Sequence, residues 1–478
     1  MPTLFEETPN LLLSTLHTPQ FWIENILKEQ TTMKLKRFVI YALFLFCAAQ
    51  GVQAQPVRDS VLQQATLQNC VQYAIENQPY VKQSLITEDI VNNEIKSRLA
   101  DWYPQINFTG NYQHYFQLPS AAFGVDSTGK RQIIQTGVRN TSTLGLSLTQ
   151  NIFNRDVLLA SRTAADIRQE ARQLTANTKI NITVAVSKAF YDILATQQQI
   201  ALLEDDIARL TRSLQDAYNQ YKAGIVDKID YKRATIALNN SKAQKRGYEE
   251  QLNAKYARLK YLMGYPQDGP LSLQYDTLQM ERDAALDTLQ TVQYQDRIEY
   301  RLLQTQQSLA QANLKYNKWS FLPNVSAFGN YNVAYLNQNL NQLYGQSFPN
   351  SYAGLTLSVP IFQGLKRVYQ VRAAQLELKR IDWDFVSLKD SISAGYTQAL
   401  ANYKADYYNY SVLKENVATA TEVYNTIQLQ YKAGIKTYLD VILAESDLRT
   451  AQINYTNALY DVLISKLDVQ QALGNIAY

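Results

Sequence analysis

The chain has 478 residues, and its 46 basic residues nearly balance 42 acidic ones, so its charge gives no reason to expect a nucleic-acid partner. It has two cysteines and two histidines, of which only Cys70 and His114 lie beyond the N-terminal region, so no disulfide, metal-spaced cluster or catalytic triad is expected. A Gly-rich phosphate loop is also absent from the sequence. We therefore expect no enzyme, no cofactor and no metal site.

The N-terminal region has the pattern of a secretory signal peptide over residues 33–54. A short basic stretch precedes the apolar core Phe38–Ala49, and small residues follow at a cleavage site, so the mature chain is expected to begin near Gln55. An apolar core of about a dozen residues is shorter than the ~20 that a membrane-spanning helix needs. We interpret residues 1–32 as an upstream mis-start or a tag, which makes Met33 the expected start.

Four segments with alternating apolar and polar residues predict β-strands at about 105–117, 138–153, 323–336 and 351–362. Segments of this length and pattern are typical of transmembrane strands, which turn apolar side chains to lipid and polar ones to a lumen. Half-buried strands of a soluble sheet alternate as well, so the pattern alone leaves that alternative open. In a membrane, four strands cannot close a barrel and an open sheet edge cannot persist in lipid. Three copies of the chain would together supply twelve strands, an even number that can close a membrane barrel.

Two long runs poor in glycine and proline predict very long helices. Residues 155–223 contain no Gly or Pro, and residues 365–433 contain only Gly395. Apolar residues recur in alternating steps of three and four over about 40 residues, a period of 3.5 that indicates coiled-coil packing. Each run ends in Lys-Ala-Gly-Ile and is followed by a second helical stretch, so each half contains a helical hairpin. The predicted hairpins are 155–263 and 365–473.

The two halves of the chain are copies of one another. The hexapeptide Gln-Tyr-Lys-Ala-Gly-Ile occurs at 220–225 and again at 430–435, and Met263-Gly264 recurs as Leu473-Gly474. Self-similarity with only two copies indicates a duplicated domain rather than a solenoid. The first structural repeat is predicted at 55–264 and the second at 265–478.

A secreted chain with strand, loop, strand and a long helical hairpin, all of it twice, resembles the TolC family of outer-membrane channel proteins. The resemblance runs from the segment around Leu67–Pro79 to Leu473-Gly474. It implies a mainly α fold with a membrane β part, in which three copies form an α-barrel of coiled-coil hairpins and a 12-stranded β-barrel.

The resemblance also implies a location, a function and partners. The channel would lie in the outer membrane, with a long periplasmic portion, as the passive conduit of a tripartite export system. Its implied partners are two further copies of the chain, outer-membrane lipid, a periplasmic adaptor protein and an inner-membrane pump, for which family frequency favours a proton-driven type. The cargo, small molecules or a secreted protein, is not specified by the sequence.

The hairpin tips match the family pattern of a small residue, glycine and an apolar residue at which the adaptor engages. The matching residues are Ala223, Gly224, Ile225, Ala433, Gly434 and Ile435. Each glycine also has a simpler interpretation as an ordinary helix C-cap.

A periplasmic gate is implied by a second set of matching residues. Asp440 matches a residue that forms a carboxylate ring at the closed entrance, and Leu443 stands where a second ring residue is common, which implies one carboxylate ring beside an apolar constriction. Tyr431 and Lys436 match positions that tie the second tip to the residue matching Asp230. For both aspartates the alternative is a capping-box-like helix start, in Thr437-x-x-Asp440 and Asp227-x-x-Asp230. For the tie between Tyr431, Lys436 and Asp230 the alternative is ordinary surface pairing.

The alternative function is a periplasmic or surface coiled-coil protein with a structural or adhesive role. It explains the helices but not the four alternating segments. Aromatic residues at the ends of these segments favour the membrane interpretation, because such residues cluster at membrane interfaces. They are Trp102, Phe153, Trp319 and Phe362. Packing in a soluble core is the other explanation for them.

Overall fold

The computed structural model describes residues 62, 65–125, 129, 131–274 and 277–478. The chain divides into two compact units, Met1–Ser60 and Val61–Tyr478, and the first lies wholly outside the described residues. The predicted upstream segment 1–32 and the predicted signal peptide 33–54 therefore lie outside them as well.

The described part of the chain is mainly helical, with a smaller β part, as the sequence predicts. Its helices are α1 (Leu67–Asn77), α2 (Pro79–Ala100), α3 (Arg155–Lys222), α4 (Lys228–Met263), α5 (Thr277–Asp283), α6 (Ile298–Trp319), α7 (Lys366–Lys432) and α8 (Tyr438–Leu473). Short 3-10 helices span Tyr294–Asp296 and Leu340–Gly345. Among these described helices, none combines the length and apolar character that a membrane span requires.

Helices α3 and α7 are unusually long because their sequences contain little that would stop a helix. They have 68 and 67 residues, which corresponds to about 100 Å each at 1.5 Å per residue. At the start of α3 the side chain of Asn154 accepts a hydrogen bond from the Asp156 amide at 2.7 Å. Toward the end of α3, residues at heptad spacing are at most 1% exposed where the helix packs on α4 and α8: Thr196, Leu203, Leu210 and Ala217.

Four strands form one antiparallel sheet that unites the two halves of the chain. The strands are β1 (Gln105–His114), β4 (Asn140–Phe153), β5 (Asn324–Asn337) and β6 (Ser347–Ser358), in the spatial order β1-β4-β5-β6. A separate hairpin of β2 (Ser120–Val125) and β3 (Arg131–Gln135) lies between β1 and β4 in the chain. Because β4 pairs with β5, the first and second repeats meet at the centre of the sheet, and β1 and β6 are its edges.

The register places the alternating residues on two distinct faces. Ile106 lies opposite Leu148, and Phe108 opposite Leu146, which in turn lies opposite Tyr331. The apolar face also contains Leu144, Val333, Leu355 and Leu357. The other face contains Asn107, Thr109, Asn111, Asn330, Asn332 and Asn350, and Asn332 donates a hydrogen bond to Asn350 at 3.2 Å. Since side chains alternate along a strand, the predicted polarity of the two faces follows from this register.

The strand boundaries differ from the predicted ones mainly at the fourth strand. The segment expected at about 351–362 begins earlier, at Ser347, and ends at Ser358, two residues before Pro360. Proline has no amide hydrogen to donate to a ladder, so the strand stops ahead of it. The β2–β3 hairpin was not predicted at all, because its strands of six and five residues are too short for a clear alternation.

The largest hydrophobic core lies where α1 and the chain after α4 pack on both hairpins. Cys70 and Met263 are fully buried there with Phe190, and Val462 of α8 belongs to the same core. Gly264 ends α4 in the left-handed conformation, with φ 68°, against the backbone of the turn between α1 and α2.

We expect Gly264→Ala to destabilise this core while Gly247→Ala does not. A Cβ at Gly264 would lie 2.7 Å from the Asn77 carbonyl oxygen, and the left-handed conformation alone costs an L-residue about 1–2 kcal/mol. Gly247 lies inside α4 with open space around it, so alanine there should stabilise the helix by up to about 1 kcal/mol. Thermal unfolding of the purified protein in detergent would measure both. A melting temperature of the Gly264 variant equal to wild type would contradict the packing described.

Candidate functional site

The first hairpin turns through a compact glycine cap at the end of α3. Gly224 has φ 72° and donates its amide to the Tyr221 carbonyl at 3.0 Å, while the Ile225 amide donates to the Gln220 carbonyl at 2.9 Å. These two bonds are those of a Schellman motif, which satisfies the last carbonyls of a helix. Ala223, the C-cap residue, completes the tip.

The second hairpin repeats this geometry at the end of α7. Gly434 has φ 74° and donates to the Tyr431 carbonyl, and Ile435 donates to the Gln430 carbonyl, each at 2.9 Å, after the C-cap residue Ala433. Both glycines therefore act as helix C-caps. A Cβ at either glycine would meet nothing within 4 Å, so the conformation rather than a close neighbour in the chain requires glycine.

The isoleucine at each tip is exposed instead of packed. In many Schellman motifs the residue at this place makes an apolar contact with the helix that it follows. Here Ile225 is 73% exposed and Ile435 is 72% exposed. The duplicated motif thus presents one apolar side chain to solvent at the end of each hairpin.

The helix that follows the second tip begins with a full capping box. The Asp440 carboxylate accepts from the Thr437 amide at 2.9 Å and from the Thr437 hydroxyl at 2.7 Å, and the Asp440 amide donates back to that hydroxyl at 3.3 Å. These bonds from Thr437, with a smaller effect of the Lys436 charge, lower the pKa of Asp440. Asp440 is therefore a charged capping residue at neutral pH, as the capping alternative predicts.

The first tip is capped differently, so the duplication is not exact here. Asp227 accepts a hydrogen bond from the Ile229 amide at 3.1 Å, which caps α4. Asp230 lies in the first turn of α4, where its negative charge suits the positive end of the helix dipole.

The residues expected to tie the second tip to Asp230 have other partners within the chain. The Tyr431 hydroxyl donates to the Gln220 side chain of the first hairpin at 2.9 Å. Burial, with smaller effects of the Asp230 and Asp216 charges, raises the pKa of Tyr431. Within the described ranges Lys436 forms no ion pair with Asp230.

Tyr438, which the sequence did not single out, joins the two hairpins near their tips. Its ring is buried against Ala217 and Ala234 of the first hairpin, and its hydroxyl lies 2.9 Å from the Ser213 hydroxyl. Burial raises the pKa of Tyr438 to about 12. The only sequence signal for this role was its place directly after the Thr437 cap.

The exposed face of α8 holds the two predicted gate residues of that helix and one more. Leu443 is 54% exposed, and Asp447, two turns beyond Asp440 or about 10 Å along the axis, is exposed on the same side. The spacing of three and four residues could have identified Asp447 from sequence. Copies of α8 arranged around an axis would present an acidic, an apolar and a second acidic layer.

In the part of the chain that the structure covers, no group of three or more His, Cys, Asp or Glu residues is arranged to hold a metal ion. The tips are two hairpins that each end in an exposed isoleucine, and α8 adds a face with two acidic residues and Leu443.

A family model described as "Outer membrane efflux protein" matches this chain at residues 70–265 and 274–475. The two matched blocks correspond to the two predicted repeats and are separated by residues 266–273. The match covers well over half of the chain.

Individual relatives span most of the chain at low identity. The outer membrane protein TolC of Vibrio cholerae serotype O1 is 20% identical over 418 residues, which are 84% of this chain and 89% of the relative. The alkaline protease secretion protein AprF of Pseudomonas aeruginosa is 20% identical over 66% of each chain. The crystal structure of the outer membrane protein VceC of Vibrio cholerae superposes with a TM-score of 0.65 at 14% identity, covering 85% of this chain and 96% of VceC, so the fold is shared.

We expect Thr437→Ala to loosen the start of α8 without affecting the rest of that helix. Loss of an N-cap side chain costs about 1 kcal/mol, which corresponds to roughly fivefold faster opening of the first turn. Hydrogen exchange of the amides at 438–441 would measure this opening. Thr450→Ala is the matched control, since the Thr450 hydroxyl bonds only to the Ser446 carbonyl inside the helix. Equal exchange in both variants would exclude a capping role for Thr437.

Proposed function

The chain belongs to the outer membrane efflux protein family and is an outer-membrane export channel, and on this premise we propose that three copies of it form one continuous conduit. In this proposal the sheets of three copies close a 12-stranded barrel in the outer membrane, and the hairpins form an α-barrel that crosses the periplasm. The channel acts passively, with a periplasmic adaptor and an inner-membrane pump as partners. Conduction rather than catalysis is its activity.

The observation that carries the proposal is the pair of open edges on the four-stranded sheet. Among the described strands, β1 and β6 are paired on one side only. None of the residues in the four strands of this sheet is Asp, Glu, Lys or Arg, so the edges lack the charges with which soluble proteins block edge-to-edge pairing. Unpaired backbone groups are not tolerated in lipid. Pairing of β6 with β1 of the next copy satisfies both edges, and three copies close the ring.

The faces of the sheet and its aromatic residues support a membrane location. Ile106, Phe108 and Leu355 are exposed on the apolar face, as lipid-facing residues of a barrel are. At the end of the sheet that joins the helices, Trp102 and Phe362 are exposed, where they suit a membrane interface. The Trp319 ring is instead covered by Arg162 at 4.9 Å, so packing accounts for it.

The helices next to the open edges also expose large apolar side chains. Ile86 and Ile90 are exposed on α2, which leads into β1, and Tyr369, Leu376 and Trp383 are exposed on α7, which follows β6. When β6 of one copy pairs with β1 of the next, α7 and α2 become neighbours and cover these side chains. A coiled-coil spacer or adhesin, the alternative function, does not explain an uncharged sheet with two matching open sides.

We assign the hairpin tips to adaptor docking. The tip residues are Ala223, Gly224, Ile225, Ala433, Gly434 and Ile435. Two observations support the assignment: both isoleucines are exposed, and the space in front of both glycines is open to an approaching backbone. Three copies would present six equivalent apolar tips to an adaptor.

We assign the periplasmic gate to Asp230, Tyr431, Lys436, Asp440 and Leu443. The exposed face of α8 supports a carboxylate ring at Asp440 with an apolar constriction at Leu443. Tyr431 holds the second tip to the first through Gln220. Lys436 forms no salt bridge among the described residues, and in the proposed trimer it would pair with Asp230 of a neighbouring copy. The cargo stays open, since relatives include a protein named for alkaline protease secretion.

The first test of the proposal is the native mass of the protein extracted by detergent from outer membranes, corrected for bound detergent. We expect a trimer that also conducts ions as a single pore in planar bilayers. A stable monomer or dimer in aqueous buffer, without detergent, would contradict the pooled barrel and favour the coiled-coil alternative.

We expect the double variant Ile225→Ser and Ile435→Ser to lose adaptor binding while its trimer stays intact. Each isoleucine buried in a complex contributes roughly 2 kcal/mol, so six lost contacts should reduce docking at least tenfold. The adaptor that co-purifies with the trimer after cross-linking in cells would be quantified. Leu429→Ser is the matched control, because Leu429 is equally exposed on α7 but lies before the tip. Unchanged adaptor recovery with the double variant would remove the tips from the docking surface.

A further inference from the structure

A fully buried carboxylate, Asp206, joins three helices of the two hairpins. Asp206 lies on α3 and accepts a hydrogen bond from the Ser241 hydroxyl of α4 at 2.7 Å. The same carboxylate oxygen, Oδ2 of Asp206, also accepts a hydrogen bond from Nη1 of Arg449 on α8 at 3.1 Å. Arg449 donates a further hydrogen bond to the Ser241 hydroxyl at 3.0 Å. A charge taken out of water in this way is stabilised only while its partners stay in place.

A second ion pair lies directly beside the first. Nε of Arg209 on α3 donates to Glu445 of α8 at 3.2 Å, and Nη2 of Arg209 lies 3.4 Å from Asp206 Oδ1. Glu445 is 2% exposed, and burial, with the Asp206 charge, raises its pKa against the opposing effect of the two arginines. We call Asp206, Arg209, Glu445 and Arg449 the buried charge cluster; its formal charges sum to zero.

The buried charge cluster holds α8 on the side opposite to the gate residues. At about 100° per residue, Asp440, Leu443 and Asp447 lie within about 60° of one another around the α8 axis. Glu445 lies about 170° and Arg449 about 150° away from the centre of that group, on the face that packs against the first hairpin. The cluster therefore determines which way the gate face of α8 points.

We propose that the buried charge cluster positions the gate by locking the rotation of α8 against the first hairpin. This inference rests on the proposed function, because it takes Asp440 and Leu443 as lining the closed entrance. Turning α8 about its axis would carry Arg449 away from Asp206 and leave charges buried without partners. Apolar side chains at the same places would allow the helices to turn or slide, since apolar contacts have no direction.

The buried charge cluster is a stronger restraint on the gate than the exposed groups at the tips. Exposed ion pairs are weakened by water and salt, while hydrogen-bonded charges shielded from water are not. The cluster lies about 17 Å from the start of α8, since Arg449 follows Tyr438 by eleven helical residues. A movement imposed at the tips by a partner reaches the gate face only if it turns α8 against this restraint.

The test combines a neutral cluster with a reporter in the gate. The double variant Asp206→Asn and Arg449→Gln removes one acid and one base, and keeps side chains that can hydrogen bond. Leu443→Cys in a Cys70→Ser background reports how closely three copies of α8 approach, by the yield of cross-linked chains with a short bismaleimide. We expect the cluster variant to lower that yield at least threefold and to raise the single-channel conductance, with trimers of unchanged thermal stability.

The matched control is the double variant Glu204→Gln and Lys245→Gln. This ion pair, at 2.9 Å, lies at the same height but is exposed and joins α3 to α4 within one hairpin. We expect its cross-linking yield and conductance to equal those of the reporter alone. A loss of yield as large as in the cluster variant would overturn the inference.

The remaining outcomes separate the inference from the proposed function. If the reporter alone does not cross-link, Leu443 does not line a closed entrance and the gate assignment itself fails. If it cross-links equally well with and without the cluster, at equal conductance, the positioning role is wrong. Should the first variant not assemble, Arg209→Gln with Glu445→Gln keeps the Asp206–Arg449 pair and should give a smaller fall in yield. Failure of both variants to assemble would assign the cluster to folding instead.

Discussion

The hydrogen bonds of the strand backbones are the constraint on which the rest of this structure depends. A sheet whose strands carry no charged residue and whose outward face is apolar belongs in lipid, where every amide and carbonyl group needs a partner. Pairing of β4 with β5 satisfies the centre of the sheet and brings the two repeats together. The edges at β1 and β6 are then the places where, in the proposed trimer, a neighbouring copy would add its strands.

The sheet also organises the helices, because each strand is connected to a helix by only a few residues. α2 leads into β1 and α6 into β5, while β4 continues into α3 and β6 into α7. The order of the strands is therefore imposed on the helices that extend from them, and contacts of α3 with α2 and α6 follow that order. In the proposed trimer this connection would make one wall from the sheet to the hairpin tips.

Along the hairpins, polar groups have different roles at different depths. At the exposed tips, Schellman caps and the Thr437–Asp440 box end one helix and start the next, and they act locally. Deeper in the bundle, the fully buried Asp206 and the mostly buried Arg449 connect different helices. A local cap can change without moving a neighbouring helix, whereas a buried ion pair that bridges helices transmits any rotation of one to the other.

Sequence by itself determined the duplication, the helical hairpins, the alternating strands and the Ala-Gly-Ile tips, because each depends on residues close in the chain and on backbone preferences. It missed the β2–β3 hairpin, whose strands are too short to alternate clearly, and it placed the fourth strand too far toward Pro360. Only the tertiary structure decided that Tyr431 bonds to Gln220, that Tyr438 packs into the first hairpin and that Asp206 meets Arg449. These contacts join residues more than 200 positions apart, and their geometry depends on how two coiled coils are set against each other, which no local pattern encodes.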